Sequence, residues 1–174
     1  MDTERSQPSV FQPVLVVFDL DFTLWDCDGT WCDCLSPPFH RKHGNVSDGR
    51  GRVVKLYDHV HPILDHCDQL SVPMALASRT EQPTWAKQLV ELLGIRDRFA
   101  YSEIYPTSKQ RHFSALRRAS GIAFDQMLFF DDEMRNIEDV GSLGVTCIHV
   151  ANGINHERFQ SGLSQMSIEG QGGE

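Results

Sequence analysis

What this chain lacks narrows it first. No apolar run approaches the ~20 residues a membrane-spanning helix needs, and the polar Met1–Pro13 stretch has no apolar core of the kind a signal peptide carries. Positive charge is scarce: 16 Lys and Arg stand against 24 Asp and Glu, a formal net charge of −8. That balance argues against nonspecific binding to nucleic acid or to an anionic membrane surface. Cysteine is sparse and odd in number, five in all, with Cys27, Cys32 and Cys34 crowded into one segment. Their spacing with His40 and His43, C-x4-C-x-C-x5-H-x2-H, does not match paired zinc ligands, so reduced thiols are the plainer reading. His59, His61 and His66 have no partner at ligand spacing either and read as solvated or packing residues. There are no internal repeats. The expectation is a cytoplasmic protein, with the nucleus left open, and a monomer by default.

What is present suits one globular domain. At 174 residues, 40% hydrophobic and 23% charged, the chain can bury a substantial core. Residues 1–13 read as a loose leader and 167–174 as a frayed tail, with the domain between them at 14–166. Within it, apolar runs alternate with amphipathic segments. Strands are predicted at Leu15–Asp19, Met74–Ser78, Ala100–Ile104, Met127–Asp131 and Thr146–Val150. Helices are predicted at Pro62–Gln69, Thr84–Leu93, Ser108–Ser120, Met134–Gly141 and Asn155–Leu163. Such alternation implies a parallel sheet with right-handed crossovers, hence an α/β, Rossmann-like three-layer sandwich. One segment breaks the rhythm. From about 27 to 58 the chain is rich in Gly, Pro, Asp and His, with weak strand signals at Trp31–Leu35 and Val53–Tyr57. It reads as a β-hairpin flap, too short for a cap domain of ~50 residues or more.

The most informative stretch is Val14-Leu15-Val16-Val17-Phe18-Asp19-Leu20-Asp21-Phe22-Thr23-Leu24-Trp25. A Val-rich apolar run reads as a strand buried on both faces, and an acidic residue at its carboxyl end lies where open α/β sheets bind ligands. Two carboxylates held together there repel each other unless a cation or a reaction needs both. Three further signals fall at predicted strand ends. Met74–Ser78 runs into Arg79, Lys109 opens a helix pattern after Tyr105-Pro106-Thr107-Ser108, and Met127–Phe130 ends in Asp131-Asp132. Singly, each has a bland explanation: Ser78 as a helix cap, Lys109 as a solvated charge, the second acidic pair as part of an N-cap. Jointly they place acidic pair, Ser-Arg, Lys and acidic pair at the carboxyl ends of one sheet. Four carboxylates then face two cations, Arg79 and Lys109. At an effective dielectric of ~20 a unit pair ~4 Å apart is worth ~4 kcal/mol, so an anionic substrate needs a further cation there. Oxygen-only ligands favour Mg2+.

The order and identity of these residues resemble the four motifs of the haloacid dehalogenase superfamily, over roughly Val14 to Val150. The words FDLDFTLW, ASRT and FFDDE, with EIYP and GVTCIHV around them, are similar to its eukaryotic magnesium-dependent phosphatase branch. The resemblance implies a phosphatase with little or no cap, acting on phosphate monoesters through an aspartyl phosphate, on phosphotyrosine or small sugar phosphates. It implies Asp19 as nucleophile and Mg2+ ligand, and Asp21 as acid and base with its carbonyl on the metal. It further implies Asp132 as direct ligand with Asp131 in support, and Ser78 and Lys109 on the phosphoryl oxygens. Main-chain N–H groups of Leu20 and Asp21 would assist, and Thr23 would brace the loop. Arg79 reads either as a phosphate or substrate contact or as half of a surface salt bridge. Trp31 reads either as a flap aromatic that meets the substrate or as one that packs the flap onto the core. Trp25 reads as structural.

Two rivals share parts of this pattern. A receiver domain also joins an acidic pair, a phosphorylated Asp, a hydroxyl, a Lys and Mg2+, but in that order; here Lys109 precedes the last acidic pair. A non-catalytic interaction protein on the same fold has no need of Asp21, whose presence favours an enzyme.

Overall fold

In the computed structural model, which describes residues 12–170, the first apolar run is a strand with no exposed side, β1 (Leu15–Phe18). The chain then makes four short strands, β2 (Trp25–Cys27), β3 (His40–Lys42), β4 (Asn45–Ser47) and β5 (Val53–Leu56), before α1 (Val60–Gln69). From there it alternates: β6 (Met74–Ser78), α2 (Pro83–Leu92), β7 (Tyr101–Ile104), α3 (Lys109–Ser120), β8 (Met127–Asp131), α4 (Met134–Gly141), β9 (Thr146–His149) and α5 (His156–Glu169).

The five predicted strands form one parallel sheet in the order β7-β6-β1-β8-β9. The chain builds outward from β1 to β7, then crosses back to lay β8 on the other side of β1. The order therefore reverses between β1 and β8, and the crevice at their carboxyl ends is where such a sheet binds its ligands. Each strand of the central trio is apolar on both faces. Val16, Phe18, Leu76, Leu128 and Phe130 share one core with Ile63 and Leu64 of α1, Leu89 of α2 and Phe159 of α5. Leu15, Val17, Ala75, Ala77, Met127 and Phe129 share the other with Phe113 and Leu116 of α3 and Val140 of α4. This is the α/β three-layer sandwich the alternation implies. α3 starts on the Ser108 side chain, which accepts from Arg111 N–H at 3.4 Å, and stops at Gly121 in the left-handed conformation.

Two regions differ from the sequence reading. The segment after β1 is a four-stranded antiparallel sheet, β2-β5-β4-β3, rather than a single hairpin, and of the two expected strands Val53–Tyr57 is present as β5. Trp31–Leu35 is not a strand; Cys32–Cys34 forms a single 3-10 turn. These strands are short and half-polar, so pairing rather than side-chain pattern holds them. Cys27, Cys32, Leu35, Phe39, Val46 and Val54 nevertheless join the main core, which fixes the flap to the sandwich. At the other end α5 continues through Ser167–Glu169, where Thr146 Oγ1 donates to the Glu169 carboxylate at 2.7 Å. The expected tail thus begins later, and its last residues, 171–174, lie outside the described residues, as does the leader up to residue 11.

Candidate active site

Asp19 lies one residue beyond β1, its N–H still on the ladder to Phe130 O at 3.1 Å. There the chain folds back sharply. The Leu20 carbonyl accepts from the N–H groups of Thr23, Leu24 and Trp25 at 3.1, 2.9 and 3.2 Å, and Phe22 takes a positive φ of 57°. Thr23 Oγ1 donates to Asp19 Oδ2 at 3.3 Å, the brace expected of it. The turn sends Asp21 away from Asp19 and toward the flap. Its Oδ1 accepts from Trp25 Nε1 at 2.7 Å and from Cys32 N–H at 3.0 Å, with Cys27 Sγ at 3.7 Å. Trp25 is buried as expected, but it also orients Asp21, a contact that depends on the turn and has no signature in the sequence.

Lys109, at the first position of α3, is 1% exposed and spends all three of its donors on protein oxygens. Nζ lies 2.8 Å from Asp19 Oδ1 and 3.0 Å from Asp131 Oδ2, and also donates to Ala77 O. It is therefore a strut between the two acidic strand ends before it is anything else. Asp131 is fully buried and further held by Glu133 N–H at 2.8 Å and by Asn136 Nδ2 at 3.1 and 3.2 Å. Asp132 turns its side chain into the cavity, while its carbonyl accepts from His149 Nε2 at 2.8 Å.

Asp19, Asp131 and Asp132 each offer a carboxylate oxygen within 4.8 Å of one another. One buried ammonium cannot offset three such carboxylates. Burial pushes the Asp19 carboxyl well above its usual range, Asp131 pushes the same way, and Lys109 only partly opposes them. Burial, Asp131 and Glu133 raise Asp132 to about 6. Lys109 is held protonated: burial alone would lower it, but Asp19 and Asp131 outweigh that. Burial likewise raises Asp21, against its hydrogen bonds to Trp25 and Cys32. An all-oxygen cluster with excess negative charge fits a hard divalent cation. Among the described residues it is the one such group, and the five cysteines are free of disulfides. Burial pushes the Cys27 and Cys32 thiols far up, so both stay protonated.

A cavity of about 280 Å3 brings Asp19, Asp21, Ser78, Arg79, Lys109 and Asp132 together, with Trp31 on its rim. Of the remaining predicted residues, Asp131 and Thr23 stand behind this wall as supports, and Leu20 contributes main chain only. Among the described residues Arg79 has no salt-bridge partner: Nη1 donates to Asn136 Oδ1 at 3.0 Å, which aims the guanidinium along the cavity. Trp31 is 54% exposed, in a T-shaped contact with Phe22 at 5.9 Å between ring centroids, so it does not pack onto the core. Asn136, Asp33, Thr80, Glu81, Glu133 and Arg135 also line the cavity, though the sequence reading assigns none of them a role. Asn136 alone had a signal, five residues past Asp131 on the first turn of α4. Larger surface grooves of about 770 and 930 Å3 lie elsewhere and gather no such cluster of carboxylates.

A parallel sandwich with acidic residues after its first and fourth strands, joined by a buried lysine at the switch point, defines a hydrolase of the haloacid dehalogenase type. The profile of the Acid Phosphatase family matches residues 12–169, and the chain belongs to that family. It is 50% identical over 153 residues to Magnesium-dependent phosphatase 1 of Homo sapiens, covering 87% of this chain and 85% of that one. It is 37% identical over 147 residues to a HAD-like hydrolase superfamily protein of Schizosaccharomyces pombe, covering 77% of this chain and 83% of that one. Solved structures share the fold at much lower identity. A HAD-superfamily hydrolase from Ehrlichia chaffeensis superposes with a TM-score of 0.63 at 16% identity, over 91% of this chain and 98% of that one. A HAD family enzyme from Bacteroides thetaiotaomicron, in complex with magnesium and inorganic phosphate, gives 0.60 at 14% identity, over 83% and 97%. The chain is a phosphatase.

Proposed function

We propose that this phosphatase is Mg2+-dependent, hydrolyses phosphate monoesters through an aspartyl phosphate on Asp19, and favours aryl phosphates such as phosphotyrosine, with small sugar phosphates as further substrates. The observation that carries this is the separation of the two motif aspartates. Asp19 converges on Lys109 and the acidic pair after β8, whereas Asp21 is held apart by Trp25 and the flap. One carboxylate is set to attack and the other to move protons.

Asp19, Asp132 and the Asp21 carbonyl would hold Mg2+, because Lys109, Asn136 and the Glu133 N–H already occupy the oxygens of Asp131. The ion, when bound, neutralises the acidic cluster and the incoming phosphate. An Asp19 oxygen forms the new bond to phosphorus as the ester oxygen departs with the bonding pair, and the Asp21 carboxyl gives that oxygen its proton. Burial favours the protonated acid that this step needs. Water then attacks the acyl phosphate, Asp21 takes its proton back, and phosphate leaves with Asp19 regenerated. Ser78, Arg79 and the N–H groups of Leu20 and Asp21 meet the phosphoryl oxygens, while Lys109 steadies Asp19 from behind. Trp31 offers a flat apolar face at the rim for an aromatic leaving group.

Asp19→Asn is expected to abolish hydrolysis of aryl phosphates with folding intact, EDTA to do so reversibly in wild type, and Asp21→Asn to accumulate phosphoenzyme detectable by intact mass. Activity that survives EDTA or Asp19→Asn overturns this reading.

A further inference from the structure

The flap does more than stand beside the site. Its 3-10 turn, Cys32–Cys34, reaches the loop that follows β6 through the exposed side chain of Asp33 and through the Cys32 thiol beside Thr80. One carboxylate oxygen accepts from the Thr80 hydroxyl, and the other accepts from Glu81 N–H at 3.2 Å. Thr80 is buried; Gln82 N–H donates to its Oγ1 at 3.0 Å, the hydroxyl donates to Asp33, and the Cys32 thiol also lies in hydrogen-bonding contact with the Thr80 side chain. On the β6 side, Thr80 N–H reaches Ser78 Oγ at 3.4 Å, so this loop is the one that carries Ser78 and Arg79. On the flap side, the residue before Asp33 supplies the Cys32 N–H that holds Asp21 Oδ1 at 3.0 Å. The other strong donor to Asp21, Trp25 Nε1, belongs to Asp21's own turn. From the flap, Cys32 N–H is the strong donor, with the weaker Cys27 thiol at 3.7 Å beside it.

The geometry points to Asp33 and Thr80 as a positioning pair that ties the phosphate-binding loop to the flap and thereby sets the carboxylate of Asp21 toward the leaving group. The inference rests on Asp21 being the acid and base of the reaction. Neither Asp33 nor Thr80 needs to touch the reacting atoms. A single part-buried hydrogen bond contributes little net beside the stability of a whole domain, so its removal separates positioning from folding.

The discriminating measurement is the dependence on leaving group. Para-nitrophenolate departs without a proton, whereas an alkoxide needs one from Asp21, and kcat/KM reports the step in which it departs. Asp33→Ala and Thr80→Val are each expected to lose roughly 10- to 100-fold in kcat/KM on an alkyl phosphate but to stay within about 3-fold on para-nitrophenyl phosphate, a fraction of what a general acid contributes. Thr80→Ser, which keeps the hydroxyl, should stay within about 3-fold of wild type on both. Phosphoenzyme should build up in Thr80→Val, because water attack also uses Asp21, and intact mass reads this without reference to rate. Circular dichroism and Mg2+ affinity should match wild type. Equal losses on the two substrates, no loss on either, or a Thr80→Ser defect as large as that of Thr80→Val would overturn the latch. Asp21→Asn serves as the reference. If it discriminates between leaving groups and Thr80→Val does not, the latch alone falls; if it does not discriminate, the acid role of Asp21 falls and the latch with it.

Discussion

A buried ammonium shared between two carboxylates is worth having only if every donor is used, and Lys109 uses all three. Its removal exposes what it was offsetting. In Lys109→Met the stem is kept but Asp19 and Asp131 are left facing each other without a cation. Breaking a buried pair in this way costs about 3–5 kcal/mol, which urea unfolding in EDTA would register. The same change should lower kcat/KM by roughly 10²-fold, the loss typical of misplacing an attacking group by about 1 Å. A Lys109→Met protein of wild-type stability would mean the pair contributes nothing net. The residue-level contacts were unevenly legible in the sequence. Asp19, Asp21, Ser78, Lys109 and Asp132 stand at strand and helix ends, where an apolar run stops at a polar residue, and that edge is visible in one dimension. Cys32 and Asp33 reach the site only because the flap folds back over it, and Trp25 only because the chain turns sharply after β1, so nothing in their spacing announces them.

At the scale of elements, strand ends and helix starts place the chemistry, and one glycine secures the turn that follows β1. Gly153 N–H donates to Phe22 O at 2.9 Å and Ile154 N–H to Thr23 O at 2.9 Å, so the loop after β9 clasps the loop carrying Asp21. Gly153 has φ +79°, and a Cβ added there would lie 2.4 Å from the ring of Tyr57. Gly153→Ala must therefore pay both the left-handed conformation and a clash with a ring, about 2–4 kcal/mol together. Gly29, at φ +76° with nothing within 4 Å of the added Cβ, isolates the first of these. Gly29→Ala is expected to cost only about 1–2 kcal/mol, and comparing the two denaturation midpoints tests the assignment. Equal losses would mean that Tyr57 moves aside freely. The long periodic elements, β6, β8 and α4, follow their predicted spans, because buried apolar runs and amphipathic stripes are properties of the local sequence. In the flap only β5 follows its predicted span, Val53–Tyr57; β3 is exposed along its whole length and is held by pairing with β4.

The stability of the whole molecule carries a pH dependence with two opposed parts. The crowded carboxylates Asp19, Asp21 and Asp132 have raised pKa values, so they disfavour the fold at neutral pH and this cost shrinks as they protonate. His112 runs the other way. It lies fully buried on α3, with Nε2 2.9 Å from Tyr105 O and Nδ1 without a hydrogen-bond partner among the described residues. Burial, with the Lys109 charge adding to it, pushes its pKa down to about 4. An unfolded chain takes up this proton near pH ~6.5, but the native one resists until much lower. Between those values the unfolded state binds more protons, so stability is whole above the upper pKa and drains away as pH falls toward the lower. A gap of this size is worth on the order of 3 kcal/mol when fully developed. Wild-type unfolding alone would blur the two trends, whereas comparison with His112→Gln cancels the carboxylates, which both proteins share. The penalty for His112→Gln should be largest at about pH 7.5 and should shrink by on the order of 2 kcal/mol by about pH 4.5. A penalty that stays constant across that range would show that His112 titrates alike in the folded and unfolded chains.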